Sequence, residues 1–232
     1  MRDTEVINRL RSPVSSSPSA NLRPSTALAA LRRFVRPRPV AERCELCGLA
    51  LPVEHPHLVE LSNRHIACAC AACAVLFDNQ SGERYRRIPR RVCHLADFRL
   101  DEAQWAGLTL PVNLAFFFHS SPAGRVVAVY PSPAGATESL LDLSAWDAVA
   151  EASPLARELV PDVEALIVHR SRESNESYLV PIDVCYELVG QIRMHWTGFD
   201  GGEEARQDIT DFFARVRSQS RPIGSTMGSS DA

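Results

Sequence analysis

The chain has 232 residues, 45% of them hydrophobic, and a formal net charge of −3. This length supports one sizeable core with a small appended module, and so small a net charge says little about binding partners. No apolar run reaches the roughly 18–20 residues that span a bilayer, and the N-terminus lacks the apolar segment of a secretory signal. The sequence therefore predicts a cytoplasmic protein.

The first 40 residues are rich in arginine and proline. Residues 1–24 lack hydrophobic periodicity, which predicts disorder. Residues 25–36 can form a short helix that Ser25 or Thr26 caps, and the proline-containing segment after it ends that helix. We therefore expect a disordered or short helical tail over residues 1–40.

Residues 41–92 contain two C-x-x-C motifs and are called the ribbon module below. Cys44 and Cys47 form the first motif, and Cys70 and Cys73 form the second. Each motif puts two thiolates on a tight turn, where both can reach one ion at about 2.3 Å. An odd number of cysteines, grouped in this way, favours reduced thiols and metal over disulfides. We predict that these four cysteines are metal ligands.

The residues between the motifs fit a zinc ribbon. Residues 57–61 alternate as a strand, residues 62–64 form a turn, and residues 65–70 return as a second strand. Four thiolates around zinc leave no open position for water or substrate, so zinc catalysis is not expected. Iron uses the same four-thiolate geometry, so the sequence predicts zinc with iron as the alternative.

Cys68 lies two residues before the second motif, and its role stays open. On a strand its side chain would share a face with that of Cys70. It can be a packed thiol beside the site, an additional or alternative ligand, or a redox-active neighbour. The ribbon histidines, His55, His57 and His65, could each replace a cysteine, although ribbon histidines more commonly pack or form hydrogen bonds.

Residues 105–219 are predicted to form an α+β domain with an antiparallel sheet. Two strand pairs are expected, at 110–120 with 125–131 and at 163–170 with 176–182. Helices are expected at 142–152, 154–161, 183–196 and 203–219. Cys185 falls on the apolar face of one of these helices and is predicted to be core. Residues 220–232 are predicted to be a disordered tail.

No catalytic motif is evident. The chain has no G-x-S-x-G, no P-loop and no dinucleotide fingerprint, so no catalytic residue is assigned. Five arginines between residues 84 and 91 could grip phosphates. They could equally form a solvated strand face or pair with acids of the α+β domain, and few aromatic residues accompany them for base stacking.

Several long motifs together resemble a known family. They include CELCG at residue 44, CACAACAVLF at 68, LPVNLAFFFHSS at 110, and YLVPIDVCYELVGQIRMHW at 178. The chain resembles an uncharacterised, mainly actinobacterial family of zinc-ribbon-like proteins, often encoded beside nickel–iron hydrogenase genes. The resemblance covers about residues 40–217. It implies that Cys68, Cys70 and Cys73 recur together, and that hydrogenase subunits or maturation factors are partners.

Three functions remain open at this point. The first is a non-enzymatic accessory or interaction protein of a hydrogenase system, with a closed zinc site. The second is a small electron-transfer protein with iron on the same cysteines, motivated by the surplus thiol of Cys68. The third is a nucleic-acid-binding regulator that uses the arginine run.

Overall fold

The computed structural model describes residues 42–78, 84–139, 146–147, 150–151, 158–171, 175–198 and 201–222. All of them belong to one compact unit, Ala41–Ala232. The predicted helix at 25–36 lies outside the described residues. So do most of the helices predicted at 142–152 and 154–161, although residues 146–147 and 150–151 are helical.

A small antiparallel sheet organises the ribbon module. Strands β1 (His57–Glu60), β2 (His65–Cys68) and β3 (Tyr85–Arg87) are arranged in the order β2-β1-β3. Helix α1 (Ala71–Leu76) follows β2. The predicted β1–β2 hairpin is confirmed, but β2 ends at Cys68 and not at Cys70, because Cys70 already caps α1.

A seven-stranded sheet forms the α+β part. Its strands in chain order are β4 (Cys93–His94), β5 (Leu114–Ser120), β6 (Arg125–Ser132), β7 (Gly135–Ser139), β8 (Glu164–Arg170), β9 (Asn175–Pro181) and β10 (Arg221–Pro222). They are ordered β10-β4-β9-β8-β5-β6-β7. Every neighbouring pair is antiparallel except β4 and β10, which are parallel. The predicted α+β class with an antiparallel sheet is therefore correct.

Three further helices have full bounds in the described part of the chain: α2 (Glu102–Gly107), α3 (Ile182–His195) and α4 (Gly202–Gln219). The last two agree with the predicted helices within one residue. Asp101 caps α2 through a reciprocal capping box with Gln104. None of the described helices has the length and apolarity needed to cross a bilayer.

The large sheet is buried on both faces, and β5 shows why its sequence is continuously apolar. Phe116 and Phe118 point to the face that packs against α3 and α4. Phe117 points to the opposite face, where Trp105 of α2 and Trp146 lie. Because successive strand residues alternate between faces, a run of three phenylalanines contributes side chains to the hydrophobic cores on both faces of the sheet.

The ribbon module packs onto the large sheet through β1. Leu58 is fully buried beside the cysteines, whereas Val59 is buried in the core formed by α3, α4 and the sheet. Ile88, just beyond β3, joins the same large core. The module is therefore not an independent appendage in this structure, since side chains of the single strand β1 are buried in both hydrophobic cores.

Two adjacent glycines make the corner between α3 and α4. Gly201 and Gly202 have φ of +91° and +79°, and a Cβ on Gly202 would clash with Thr197 Oγ1. The chain is therefore tightly packed where α4 begins. The left-handed backbone and the close approach both require glycine.

We expect Gly202→Ala to reduce the free energy of unfolding by about 1–2 kcal/mol, the cost of a left-handed non-glycine residue. Gly190→Ala is the matched control, because Gly190 is exposed within α3 and has open space around it. That variant should gain up to about 1 kcal/mol from helix propensity. Urea unfolding of both variants measures the difference, and equal stabilities would contradict the strain at Gly202.

Candidate metal centre

The first C-x-x-C motif sits on a tight turn that backbone hydrogen bonds close. The N–H of Gly48 donates to the carbonyl of Cys44 at 2.7 Å, and the N–H of Cys44 donates to Leu49 at 2.8 Å. Gly48 has a φ of +77°, which a side chain would strain. This turn presents Cys44, which is buried, and Cys47, which is exposed.

The second motif sits at the start of α1. Cys70 is the N-cap, and its Sγ accepts a hydrogen bond from the backbone N–H of Cys73 at 3.4 Å. Cys73 lies in the first turn of the helix, so the cap holds both sulfurs on the same side. The N–H of Glu45 donates to the carbonyl of Cys68 at 2.9 Å, which ties the first turn to the end of β2.

The two turns bring four sulfurs together. The Sγ atoms of Cys44, Cys47, Cys70 and Cys73 all lie within 4.8 Å of one another, and we call them the four-cysteine cluster. The distance between the sulfurs of Cys47 and Cys70 is 3.8 Å. Tetrahedral zinc with bonds of about 2.3 Å requires sulfurs about 3.8 Å apart. The cluster is therefore able to hold one metal ion.

The thiols of the cluster have very different acidities. Burial raises the pKa of Cys44, but backbone hydrogen bonds from Cys70, Leu46 and Cys47 outweigh it and bring the pKa down to about 6. Burial, together with the neighbouring thiols, raises the pKa of Cys73 to about 12. Four adjacent thiolates repel one another, so a cation is what would allow all four to be ionised together.

The structure places Cys68 with two histidines. The sulfur of Cys68 and ring nitrogens of His55 and His57 lie within 4.8 Å of one another, and we call this group the His–Cys cluster. His57 faces Cys68 directly across the β1–β2 ladder. His65, in contrast, is exposed and bonds to Glu45 with Nε2 at 2.9 Å from Oε2.

A family comparison covers this whole arrangement. The profile of a family of unknown function, DUF5947, matches residues 43–220. The chain belongs to this family. The match spans both C-x-x-C motifs, the His–Cys cluster and all the strands of the large sheet except the last. No curated protein and no solved structure matches the chain.

In this family member, arginines of the 84–91 run are engaged with carboxylates. Four pairs are formed: Arg84 with Glu60, Arg86 with Asp162, Arg90 with Glu54, and Arg91 with Glu164. Asp162 and Glu164 belong to the α+β part and are buried. Two of the arginines therefore join the ribbon module to the large sheet, as one of the sequence interpretations expected.

One residue near the clusters has no signal of its own in the sequence. Asp183 is the second residue of α3 and lies 126 positions from His57 in the sequence. Its Oδ2 is nevertheless 2.6 Å from His57 Nδ1. The H-x-H spacing of His55 and His57 was visible, since alternate residues can share one face of an extended segment. Nothing in the local sequence could indicate that a carboxylate from another helix meets them.

Proposed function

We propose that this chain is a metal-binding accessory protein whose ribbon module, residues 41–92, binds a protein partner. Residues 105–219 are the α+β domain that supports this module. The convergence of four sulfurs within 4.8 Å of one another, with one pair at the 3.8 Å that zinc requires, carries the metal part of the proposal. A closed four-thiolate site stabilises a surface and leaves no position for substrate, so the metal has a structural role.

The apolar surface of the module supports a protein partner. Seven large apolar side chains are exposed among the described residues, and five of them belong to the ribbon module: Leu49, Val53, Val75, Leu76 and Phe77. Three of these follow one another at the end of α1. Grouped exposed apolar residues are typical of binding surfaces on soluble proteins.

The resemblance noted above suggests which partner to test. Members of that family are often encoded beside nickel–iron hydrogenase genes, so hydrogenase subunits or maturation factors are the partner class we propose. Zinc and a cytoplasmic location are part of the same proposal. The paired arginines 84, 86, 90 and 91 give no support to a nucleic-acid regulator.

We expect the tagged full-length chain to co-purify with a hydrogenase subunit or maturation factor in the native cell. Val75→Glu and Leu76→Glu should reduce the recovered partner at least tenfold, because they place charge on the exposed end of α1. Met194→Glu is the matched control, since Met194 is similarly exposed but lies on α3. Mass spectrometry of the recovered proteins measures the effect. Recovery of no hydrogenase component, or equal recovery with all variants, would contradict the proposed partner.

The alternative of an electron carrier has one observation in its favour. Cys47 is exposed, so an iron ion in the four-cysteine cluster could exchange electrons at the surface. Metal analysis and a visible spectrum of protein purified without oxygen separate the two functions. Colourless zinc protein supports the accessory role, and iron with thiolate charge-transfer bands supports electron transfer.

A further inference from the structure

The His–Cys cluster is separate from the four cysteines and has its own geometry. His55 Nε2 and His57 Nε2 lie 3.2 Å apart, and their rings meet edge-on with centroids 4.9 Å apart. The sulfur of Cys68 completes the group. His55 is buried, while His57 and Cys68 are half-buried.

The hydrogen-bond partners of the two rings determine which nitrogens carry protons. His55 Nδ1 is 3.0 Å from the carbonyl oxygen of Pro52, and His57 Nδ1 is 2.6 Å from the carboxylate of Asp183. Both oxygens can only accept, so each Nδ1 donates its N–H. In the neutral rings, each Nε2 then carries a lone pair.

Two lone pairs therefore face each other across 3.2 Å. Such a contact is repulsive unless a cation lies between or beside the two nitrogens. That cation is either a proton shared by the rings or a metal ion bound by both. Cys68 favours the metal ion, because a thiolate beside two imidazole nitrogens is a typical donor set for zinc and copper.

The surroundings of the rings match those of metal-binding histidines. Such histidines almost always donate the second ring N–H to a carboxylate or a backbone carbonyl, which fixes the tautomer and the ring orientation. His57 has the carboxylate and His55 has the carbonyl. Neither partner is in the four-cysteine cluster, and Asp183 comes from α3, so the arrangement depends on the tertiary fold.

We propose that His55 Nε2, His57 Nε2 and Cys68 Sγ bind a second metal ion, of the zinc class. Three protein ligands leave one coordination position open, unlike the closed four-cysteine cluster. The side chain of His57 is 31% exposed, so water or a donor atom from a bound partner can reach that position. The second ion would connect the β1–β2 hairpin to α3 through Asp183.

Cobalt titration of the metal-free full-length chain tests this proposal, because the spectrum of bound Co²⁺ reports how many thiolates surround it. We expect the wild type to bind two ions with different spectra, one of them with a single thiolate ligand. Cys68→Ala and His57→Asn should each bind one ion only. The asparagine amide can still donate to Asp183, so this variant removes Nε2 and keeps the link to α3.

A variant outside the ligand set and a matched control complete the test. Asp183→Asn should keep both ions but weaken the second by about 10- to 100-fold, as loss of an outer partner typically does. His65→Asn, a change at another ribbon histidine, should bind both ions as the wild type does. Circular dichroism confirms that each variant is folded.

Two results would overturn the second site. One is a wild type that saturates with a single, four-thiolate Co²⁺, and the other is an unchanged stoichiometry in Cys68→Ala and His57→Asn. A different pattern would separate this proposal from the proposed function: a single ion that is lost in Cys68→Ala but kept in Cys70→Ser supports the His–Cys cluster and contradicts the four-cysteine site.

Discussion

Cys70→Ser is expected to remove the metal ion of the four-cysteine cluster and to unfold the ribbon module, and with it the His–Cys cluster that lies in the same module. Serine is a good helix N-cap, so its oxygen can still accept the hydrogen bond from Cys73 N–H that the sulfur accepts now. The variant thus separates loss of the thiolate from loss of the cap. The effect should be large, since structural zinc contributes on the order of 10 kcal/mol in zinc-finger peptides.

The small size of the local core explains why the module cannot compensate. Its buried cluster contains three of the cysteines with Leu58, Ala69 and Ala74, which is far less apolar surface than an independent domain needs. Hydrogen exchange at the β1 and β2 amides should become fast in Cys70→Ser, or when a chelator removes the ion from the wild type. The β5 and β8 amides, in the centre of the large sheet, should be affected much less.

Cys93→Ser is the matched control for this prediction. Cys93 is also buried, at 5% exposure, but it lies on β4 in the opposite core of the large sheet. The same chemical change there should leave the metal content unchanged. Full metal content in Cys70→Ser, or loss of metal in Cys93→Ser, would show that the four-cysteine cluster does not hold the ion.

Arg91→Met is expected to lower the free energy of unfolding by about 3 kcal/mol, because it leaves a buried carboxylate without its partner. Glu164 is 1% exposed and receives two hydrogen bonds from Arg91, Nε to Oε1 at 2.9 Å and Nη2 to Oε2 at 2.7 Å. After the substitution the backbone N–H of Val160 is the remaining donor to it among the described residues, at 3.1 Å. Arg91 itself is 44% exposed, so water can enter and limit the cost.

The neighbouring arginine provides the control. Arg90 pairs with Glu54 at 3.8 Å, and both side chains are mostly exposed. Arg90→Met should therefore change stability by less than about 1 kcal/mol. The double variant Arg91→Met/Glu164→Leu should recover most of the loss, since replacing both partners by apolar groups removes the uncompensated charge. Urea unfolding measures all three, and equal effects at positions 90 and 91 would contradict a structural role for the buried pair.

The Arg91–Glu164 and Arg86–Asp162 ion pairs also attach the ribbon module to the α+β part. Arg86 lies in β3 and Arg91 follows that strand, and their partners lie at or just before the start of β8. Together with the hydrogen bond between His57 and Asp183, they give the module polar links to two elements of the α+β part. These links hold the module against the start of β8 and the first turn of α3.

The sequence alone was sufficient for the elements with a clear local pattern. The alternation in β1 and the short apolar runs on either side of polar turns in the β5–β6 and β8–β9 pairs predicted strands, and the apolar stripes of α3 and α4 predicted helices within a residue of their bounds. The spacing of the C-x-x-C motifs indicated which four sulfurs converge, because each motif is a local turn and the hairpin between them brings the turns together.

The tertiary structure decided what no local pattern could specify. Strands β4 and β10 have two residues each, which is too few to show a hydrophobic period. They are strands because β4 pairs with β9 and β10 pairs with β4. Cys68 was placed by strand alternation near Cys70, but the chain leaves the strand at Cys68, and the β1–β2 register puts His57 opposite it. Asp183 reaches His57 because α3 follows directly after β9 of the large sheet, which places the first turn of α3 beside His57. Local preferences act over a few residues, whereas contacts between distant side chains follow from how the two sheets pack.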